Sequence, residues 1–417
     1  MIYDTAIIGG GISGLYCALK LSFSHKVILF EKNDYLGGRI HTNADEHIEM
    51  GATRYNKSHY LLSKLLQEYH INGKSEKVDY SFISKDNQKI IPKANIILQN
   101  YISFIIRKSK LIPEQELRDK TLKDFCLHHT PKKYVNLMES IFGYSSEFEV
   151  LNAYDAIRGF QSDFLGTQYY HVPGGLSTLI LKIQKTILKN KGIIKTHHEI
   201  IDIRKNLEEN YQLNVKGKKR TYFCQNLIIS VNPYQLQKFP YLPSINRQLR
   251  RSISGKPLLK IFAKYPCPNN QCWFSGLTKI TTDSILRQII PIDKQQGLIL
   301  VSYTDGNDTF PFLRGNNLKS ETEIKKIITR ELNLLFSNMT ITSPLKIYSY
   351  YWPKGAHYWK PGVNSTSIIN KINNPEKNMY ICGEFLSSKQ AWIEGALESS
   401  QRVINHFIKD KTKKQSL

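Results

Sequence analysis

The sequence predicts an α/β protein of two domains. One is a dinucleotide-binding fold with a parallel sheet, and the other is an α+β body with an antiparallel sheet. Three observations carry this. Residues 3–8 (YDTAII) form a short apolar run ending in glycine, residues 12–23 have helical periodicity, and residues 26–31 (KVILFE) form a second apolar run. That order is a βαβ unit with a right-handed crossover. Alternating apolar segments between 258 and 303, among them LLKIFAKY and LILVSY, read as antiparallel strands. Near the end, NMYICGE at 378–384 reads as another buried strand and 393–408 as a final helix. At 417 residues the chain has room for two such cores.

Between these anchors the elements follow in order. Residues 58–70 (SHYLLSKLLQEYH) read as an amphipathic helix behind a serine cap. From about 94 to 150 the pattern is helical, with few strand signals. HVPGG at 171–175 is a turn, and a helix runs from Ser177 to Lys189. Residues 199–203, 211–215 and 227–231 are strands, the last one buried. A helix covers 319–336 and strands return at 345–352.

Hydrophobic residues make up 41% and charged residues 22%, as in ordinary globular proteins, but the formal net charge is +23. Such charge would suit a polyanion or an anionic membrane. The lysines are scattered, however, and only Lys409–Lys414 clusters; with no basic sequence-specific motif, a nucleic-acid partner is not expected. The apolar stretch Ile96–Ile106 is interrupted by Gln, Asn and Ser and is too short to span a bilayer. Met1 leads directly into an apolar strand, without a basic leader. The expectation is a cytoplasmic protein that needs no membrane. The sequence assigns no oligomeric state.

The six cysteines show no paired metal-ligand spacing. Cys267 and Cys272 flank Pro-Asn-Asn in an expected hairpin, where a disulfide is disfavoured without a secretion signal. His128-His129 and His197-His198-Glu199 invite a metal reading. Adjacent histidines on a strand point to opposite faces, though, and no third ligand is spaced to join them, so no metal site is expected.

Gly9, Gly11 and Gly14 lie between a predicted strand and a predicted helix. In that context the first glycine permits a tight turn, the second lets the backbone approach a pyrophosphate, and the third lets helix and strand pack closely. The helix N-terminus offers free N–H groups to the phosphates. Glu31 ends the second strand, where a carboxylate accepts hydrogen bonds from an unphosphorylated ribose. LGGRIHT (36–42) follows at once. A nicotinamide-only domain has no need of this second Gly-Gly-Arg, whereas a flavin site uses the loop beside an extended cofactor, with Arg39 compensating the pyrophosphate. IEMGATRY (48–55) adds another glycine-bearing turn. The expected cofactor is FAD.

GGGISGL, FEKNDYLGGRIHT and EMGA, with VPGGLSTLI at 172–180 and YICGEFLSSKQAWIEGALESSQRV at 380–403, resemble the flavin-dependent amine oxidases, the group of monoamine, polyamine and L-amino-acid oxidases. The resemblance spans the chain. It implies a discontinuous Rossmann-type FAD domain from 1–79, 173–250 and 352–410, a substrate domain from 80–172 and 251–351, and a basic tail at 411–417. It places Gly9, Gly11, Ser13, Gly14, Glu31, Lys32, Gly38, Arg39, Gly51 and Ala52 around the FAD. Ile200 would meet the adenine, and Glu384 the ribityl–pyrophosphate region. Ile393 and Ala396 would sit where the last helix points its N–H groups at the flavin ring.

The same resemblance assigns the chemistry. Lys260, in SGKPLLKIFAKYPCP, matches the lysine that holds a water at flavin N5, with Lys256 and Lys264 as alternatives. His357 and Trp392 match the two rings that orient the amine. Family members with covalent flavin carry a cysteine where this chain has Ala356, so FAD is expected to be non-covalent. Histidine replaces the usual tyrosine at 357. Arg54 is a candidate for a substrate carboxylate or the FAD phosphates. The implied reaction is oxidation of an amine or amino acid, with hydride passing to flavin and O2 becoming H2O2. The alternatives are a same-fold desaturase or protoporphyrinogen-type oxidase, and a non-catalytic FAD-stabilised binding protein.

Overall fold

A computed structural model describes residues 1–76, 79–86, 88–165 and 168–415, and side chains only as far as residue 408. The side chains of the predicted basic tail therefore lie outside the described residues. The chain divides into two compact units. One comprises residues 1–76, 168–253 and 363–417, the other 77–167 and 254–362.

In the first, dinucleotide unit, parallel strands lie in the order Ile193–Lys195, Val27–Phe30, Ile2–Ile8, Thr221–Ile229, with Met379–Ile381 also parallel to Thr221–Ile229. Tyr211–Val215 and Ile200–Lys205 extend the sheet in antiparallel fashion. VILF at 27–30 is buried at every position, as expected of a parallel strand covered on both faces. Its core packs Leu15, Cys17 and Ala18 of helix Ile12–Leu21 with Leu179 and Ile183 of helix Ser177–Lys189 and Leu397 and Val403 of the last helix, Ile393–Gln415. A small sheet of Tyr55–Asn56, Tyr169–His171 and Lys74–Ser75 completes the unit.

The second unit holds a seven-stranded sheet in the order Lys346–Trp359, Ile253–Lys264, Leu298–Asp305, Gln288–Asp293, Lys279–Thr282, Tyr80–Ile83, Ile90–Ile91. One pairing, Lys279–Thr282 with Tyr80–Ile83, is parallel. Helix Glu321–Leu335 buries Ile324, Ile328 and Leu332 against Leu259, Ile261, Ile289 and Val301. Its start is fixed by a reciprocal Ser320/Glu323 capping box. Helices including Ala94–Ser109, Leu122–His129, Lys132–Phe142 and Ala153–Asp163 supply the α part.

The structure departs from the sequence reading in particular places. The predicted strand at 345–352 continues to Trp359, so the last segment of the dinucleotide unit begins at 363 rather than 352. His128 and His129 close helix Leu122–His129, inside the stretch read as helical, so the argument from opposite faces of a strand does not apply to them, and His197 occupies a left-handed turn at φ 53°. Pro268–Asn270 is a 3-10 turn, with both flanking thiols free. Among the described residues no group of three or more His, Cys, Asp or Glu could hold a metal ion, and no helix is long and apolar enough to cross a membrane.

Candidate functional site

The cradle is built by two glycines that packing demands and one that leaves room. Gly9 has φ 107° and donates its N–H to the Phe30 carbonyl at 2.8 Å; a Cβ there would lie 2.4 Å from the Ser230 carbonyl oxygen. A Cβ on Gly14 would lie 2.0 Å from the Gly9 oxygen, so helix Ile12–Leu21 crosses its strand in direct backbone contact. Gly11 differs. It caps this helix with φ −71° and ψ 173°, and a Cβ there would meet nothing within 4 Å. The first turn of the helix has no side-chain cap and no acidic residue. Open space therefore faces amides that have no intrahelical partner, the arrangement that suits a phosphate.

Glu31 is 7% exposed. Its Oε2 accepts from Gly10 N–H at 2.7 Å and its Oε1 from Asn33 N–H at 2.9 Å, fixing a carboxylate that retains lone pairs for a ribose. The second glycine pair is pinned to the first, because Gly37 N–H donates to the Gly10 carbonyl at 2.8 Å. Ala52 N–H donates to the Arg39 carbonyl at 3.0 Å, and a Cβ on Gly51 would lie 2.0 Å from that same oxygen. His198 N–H bonds the Glu31 carbonyl at 2.8 Å, which brings the segment leading to Ile200, itself buried, alongside Glu31. Arg39 Nη1 and Glu384 Oε1 form an ion pair at 2.9 Å. Arg39 thus shares its charge with a buried carboxylate instead of offering it whole to a pyrophosphate. Lys32 is exposed. At the far end of the sequence, Ser13 Oγ donates to Ala396 O at 3.3 Å and Ser400 Oγ to Ser13 O at 3.1 Å, so the first and last helices lock together beneath the cradle. Ile393 and Ala396 are buried there. These residues fit a dinucleotide such as FAD.

Trp392, just ahead of the last helix, belongs to a layered group of rings. It stacks parallel to Tyr169 (centroids 6.2 Å, 7°) and meets the edge of buried His59 at 4.8 Å. Arg54 lies over the ring of Tyr169, its guanidinium carbon 4.3 Å from the ring centre. The predicted carboxylate- or phosphate-binding arginine is thus engaged in a cation–π contact. Next in sequence, Glu394 caps helix Tyr60–Glu68, accepting from Leu61 N–H at 2.8 Å and Leu62 N–H at 2.9 Å. The expected serine cap is absent: Ser58 bonds Asn56 Oδ1 instead. Burial pushes the Glu394 carboxyl upward.

In the other unit, Lys260 is 1% exposed on strand Ile253–Lys264, whereas Lys256 and Lys264 are half-buried. Its Nζ lies 4.8 Å from the centre of the Tyr303 ring, its partner in the strand register, and Tyr303 meets the edge of Tyr144 at 5.1 Å. His357 and Ala356 are buried on strand Lys346–Trp359. Beside them Tyr358 and Asp305 lie near enough to the buried Glu147 carboxyl to act on its charge, and Asp305 accepts from Ser145 N–H at 2.9 Å and Ser146 N–H at 3.0 Å. Sequence reasoning missed this tyrosine–carboxyl group, because its members come from three segments with no shared motif. It also missed His59, Tyr169 and Glu394, although an acid in the first turn of the last helix was a visible signal.

Burial first, then the Asp305 charge, pushes the Glu147 carboxyl up to about 8, and burial also raises Asp305 and Tyr358. A carboxyl raised on folding stabilises fully below its unfolded value and loses that contribution as pH rises through the folded one. Urea melts are therefore expected to show stability falling between about pH 5 and pH 8.5. Glu147→Gln, which cannot ionise, is expected to flatten that fall; an unchanged slope would assign it to other groups.

A family profile described as flavin containing amine oxidoreductase matches residues 12–403. Over 82 residues the chain is 39% identical to a 1-hydroxycarotenoid 3,4-desaturase of Flavobacterium sp. (strain P99-3), covering 19% of this chain and 16% of that protein. Over 101 residues it is 34% identical to an L-amino-acid oxidase of Mus musculus, covering 23% and 15%. Both matches span only a small part of the relative's length. Aplysianin-A of Aplysia kurodai is 23% identical over 512 residues, covering 97% of this chain and 90% of the relative. The fold matches putrescine oxidase, in a single-substitution variant, with a TM-score of 0.79 at 16% identity, covering 98% of this chain and 99% of that one. A double variant of the same enzyme gives 0.78. The profile runs from the helix of the cradle into the last helix, the two elements that Ser13 and Ser400 join, and the chain belongs to the flavin-containing amine oxidoreductase family.

Proposed function

We propose that the chain is an FAD-dependent amine oxidase acting on a small amine or amino acid. The observation that carries this reading is Lys260: a lysine held 1% exposed against Tyr303, on the strand where the family resemblance expects it. A surface lysine would gain nothing from such burial, since removing an ammonium from water costs free energy unless the site uses it. Bound FAD would supply the hydride acceptor for the substrate's α-carbon, and O2 would regenerate it, yielding H2O2. The glycine cradle, Glu31, and the Arg39–Glu384 pair are the residues proposed to hold it. Ala356 offers no thiol, which supports non-covalent attachment. Lys260 is proposed to hold a water and move a proton in the oxygen-dependent half of turnover. Trp392, clamped between Tyr169 and His59, is proposed to orient the amine nitrogen and exclude water, with His357 as a second ring.

The test is anaerobic mixing of the FAD-loaded protein with a broad panel of amines and amino acids. Bleaching of the visible flavin absorbance by a member of that panel, with carbonyl product and H2O2 on readmitting air, is the expected result. Bleaching by none of them, but by a polyene or porphyrinogen, would move the chain to the desaturase-type reading. A protein that takes up no FAD would overturn both.

A further inference from the structure

Amine oxidation makes no use of a net charge of +23, and one feature of the dinucleotide unit concentrates part of it. Helix Pro243–Ser252 turns Ile245 and Leu249 into the core, which leaves Arg247 and Arg251, one turn apart, on an exposed face. In the same unit Lys371 sits in the last turn of helix Ser365–Asn373. These three cations, with Ser244, Gln248 and Ser252, line a cavity of about 320 Å³. No carboxylate lines it, and among the described residues Arg247, Arg251 and Lys371 have no ion-pair partner. Elsewhere on this protein exposed bases commonly do find acids, as Arg204 does with Asp202 and Arg314 with Glu323.

We propose that this cavity binds a small phosphate-bearing anion, pyrophosphate-like in charge. Two guanidinium forks can each take a pair of phosphate oxygens, the lysine adds a compact point charge, and the serine hydroxyl and glutamine amide are further donors. Three positive charges facing one concavity match an anion of two or three negative charges. A polymeric phosphate backbone would instead be served by a stripe of cations spaced along a groove. The cavity holds roughly ten water volumes, enough for a diphosphate and a few further atoms. Its two helices also flank the points where the chain leaves the dinucleotide unit after Ile253 and re-enters it at Val363. A ligand shared by both helices therefore ties those segments together and stabilises the folded state by mass action.

The experiment is calorimetric titration of the FAD-loaded, full-length protein with inorganic pyrophosphate, at an ionic strength held constant with sodium chloride. Saturable binding near one equivalent per chain, with a rise in Tm, is expected. The double variant Arg247→Gln/Arg251→Gln should weaken it at least about tenfold, and Lys371→Gln by less, without changing flavin absorbance or the Tm of the ligand-free protein. All three side chains are exposed, so these variants fold. Absence of saturable heat, or equal affinity in the double variant, would overturn the site. So would a single-stranded oligonucleotide that binds the same face and is not displaced by pyrophosphate. None of these outcomes depends on whether amines are oxidised.

Discussion

Replacing Lys260 with methionine is expected to slow the oxygen-dependent half of turnover by about 100-fold, the scale of a lost positioned proton donor. The amine-dependent half should stay within about threefold of the parent. The two halves separate cleanly: flavin absorbance lost under anaerobic amine reports the first, and its return on mixing with oxygenated buffer reports the second. Methionine is unbranched like lysine and one heavy atom shorter, and the site is 1% exposed, so the substitution removes the buried charge beside Tyr303 while opening little space. A defect confined to reoxidation distinguishes a working lysine from a structural one, which would impair both halves. The half-buried Lys256, on the same strand, supplies the control, and its methionine variant should leave both halves unchanged. Unaltered reoxidation in the Lys260 variant would remove it from the proposed role.

What could be read from the sequence was whatever depends on local spacing. Helix Ser177–Lys189 appears at its expected bounds, and the βαβ start lies within a residue or two, because a strand, a glycine turn and a helix are written in consecutive residues. Tyr80–Ile83, Ile90–Ile91, Tyr169–His171 and Ile193–Lys195 escaped notice because two to four residues cannot establish an alternation. Their pairing is also set from afar: Tyr80–Ile83 lies beside Lys279–Thr282. The strand read from the sequence stopped at 352, yet it continues through Pro353 and Gly355. The glycine is there for packing, since a Cβ at 355 would lie 2.4 Å from Leu258 Cβ. Likewise Ser58 satisfied a local capping rule, but the capping is done by Glu394, 333 residues beyond Leu61. The glycine turn proposed as the cofactor cradle was legible for the same reason the helices were. The tyrosine–carboxyl group around Glu147 was not, because nothing in the neighbourhood of 147 announces 305 or 358.

The cradle yields the second large effect, through two glycines that look equivalent in the sequence. Gly11→Ala is expected to leave folding almost untouched and to weaken FAD binding by about ten- to a hundredfold, or roughly 1.4–2.7 kcal/mol. The backbone at Gly11 (φ −71°, ψ 173°) is one that alanine adopts freely, and the added methyl meets no protein atom within 4 Å. It projects into the space over the uncapped amides, which is the space a pyrophosphate needs. Gly14→Ala reverses the outcome. Its methyl would lie 2.0 Å from the Gly9 carbonyl, a backbone atom that cannot swing aside, so strand and helix must separate at the centre of the sheet. A loss of about 1–3 kcal/mol or more follows, visible as a lower melting temperature even without cofactor. FAD titration followed by flavin fluorescence, paired with circular-dichroism melts of the cofactor-free proteins, measures both quantities. If Gly11→Ala bound FAD as tightly as the parent, no phosphate would lie over the start of this helix, and the cradle would be a packing turn after all.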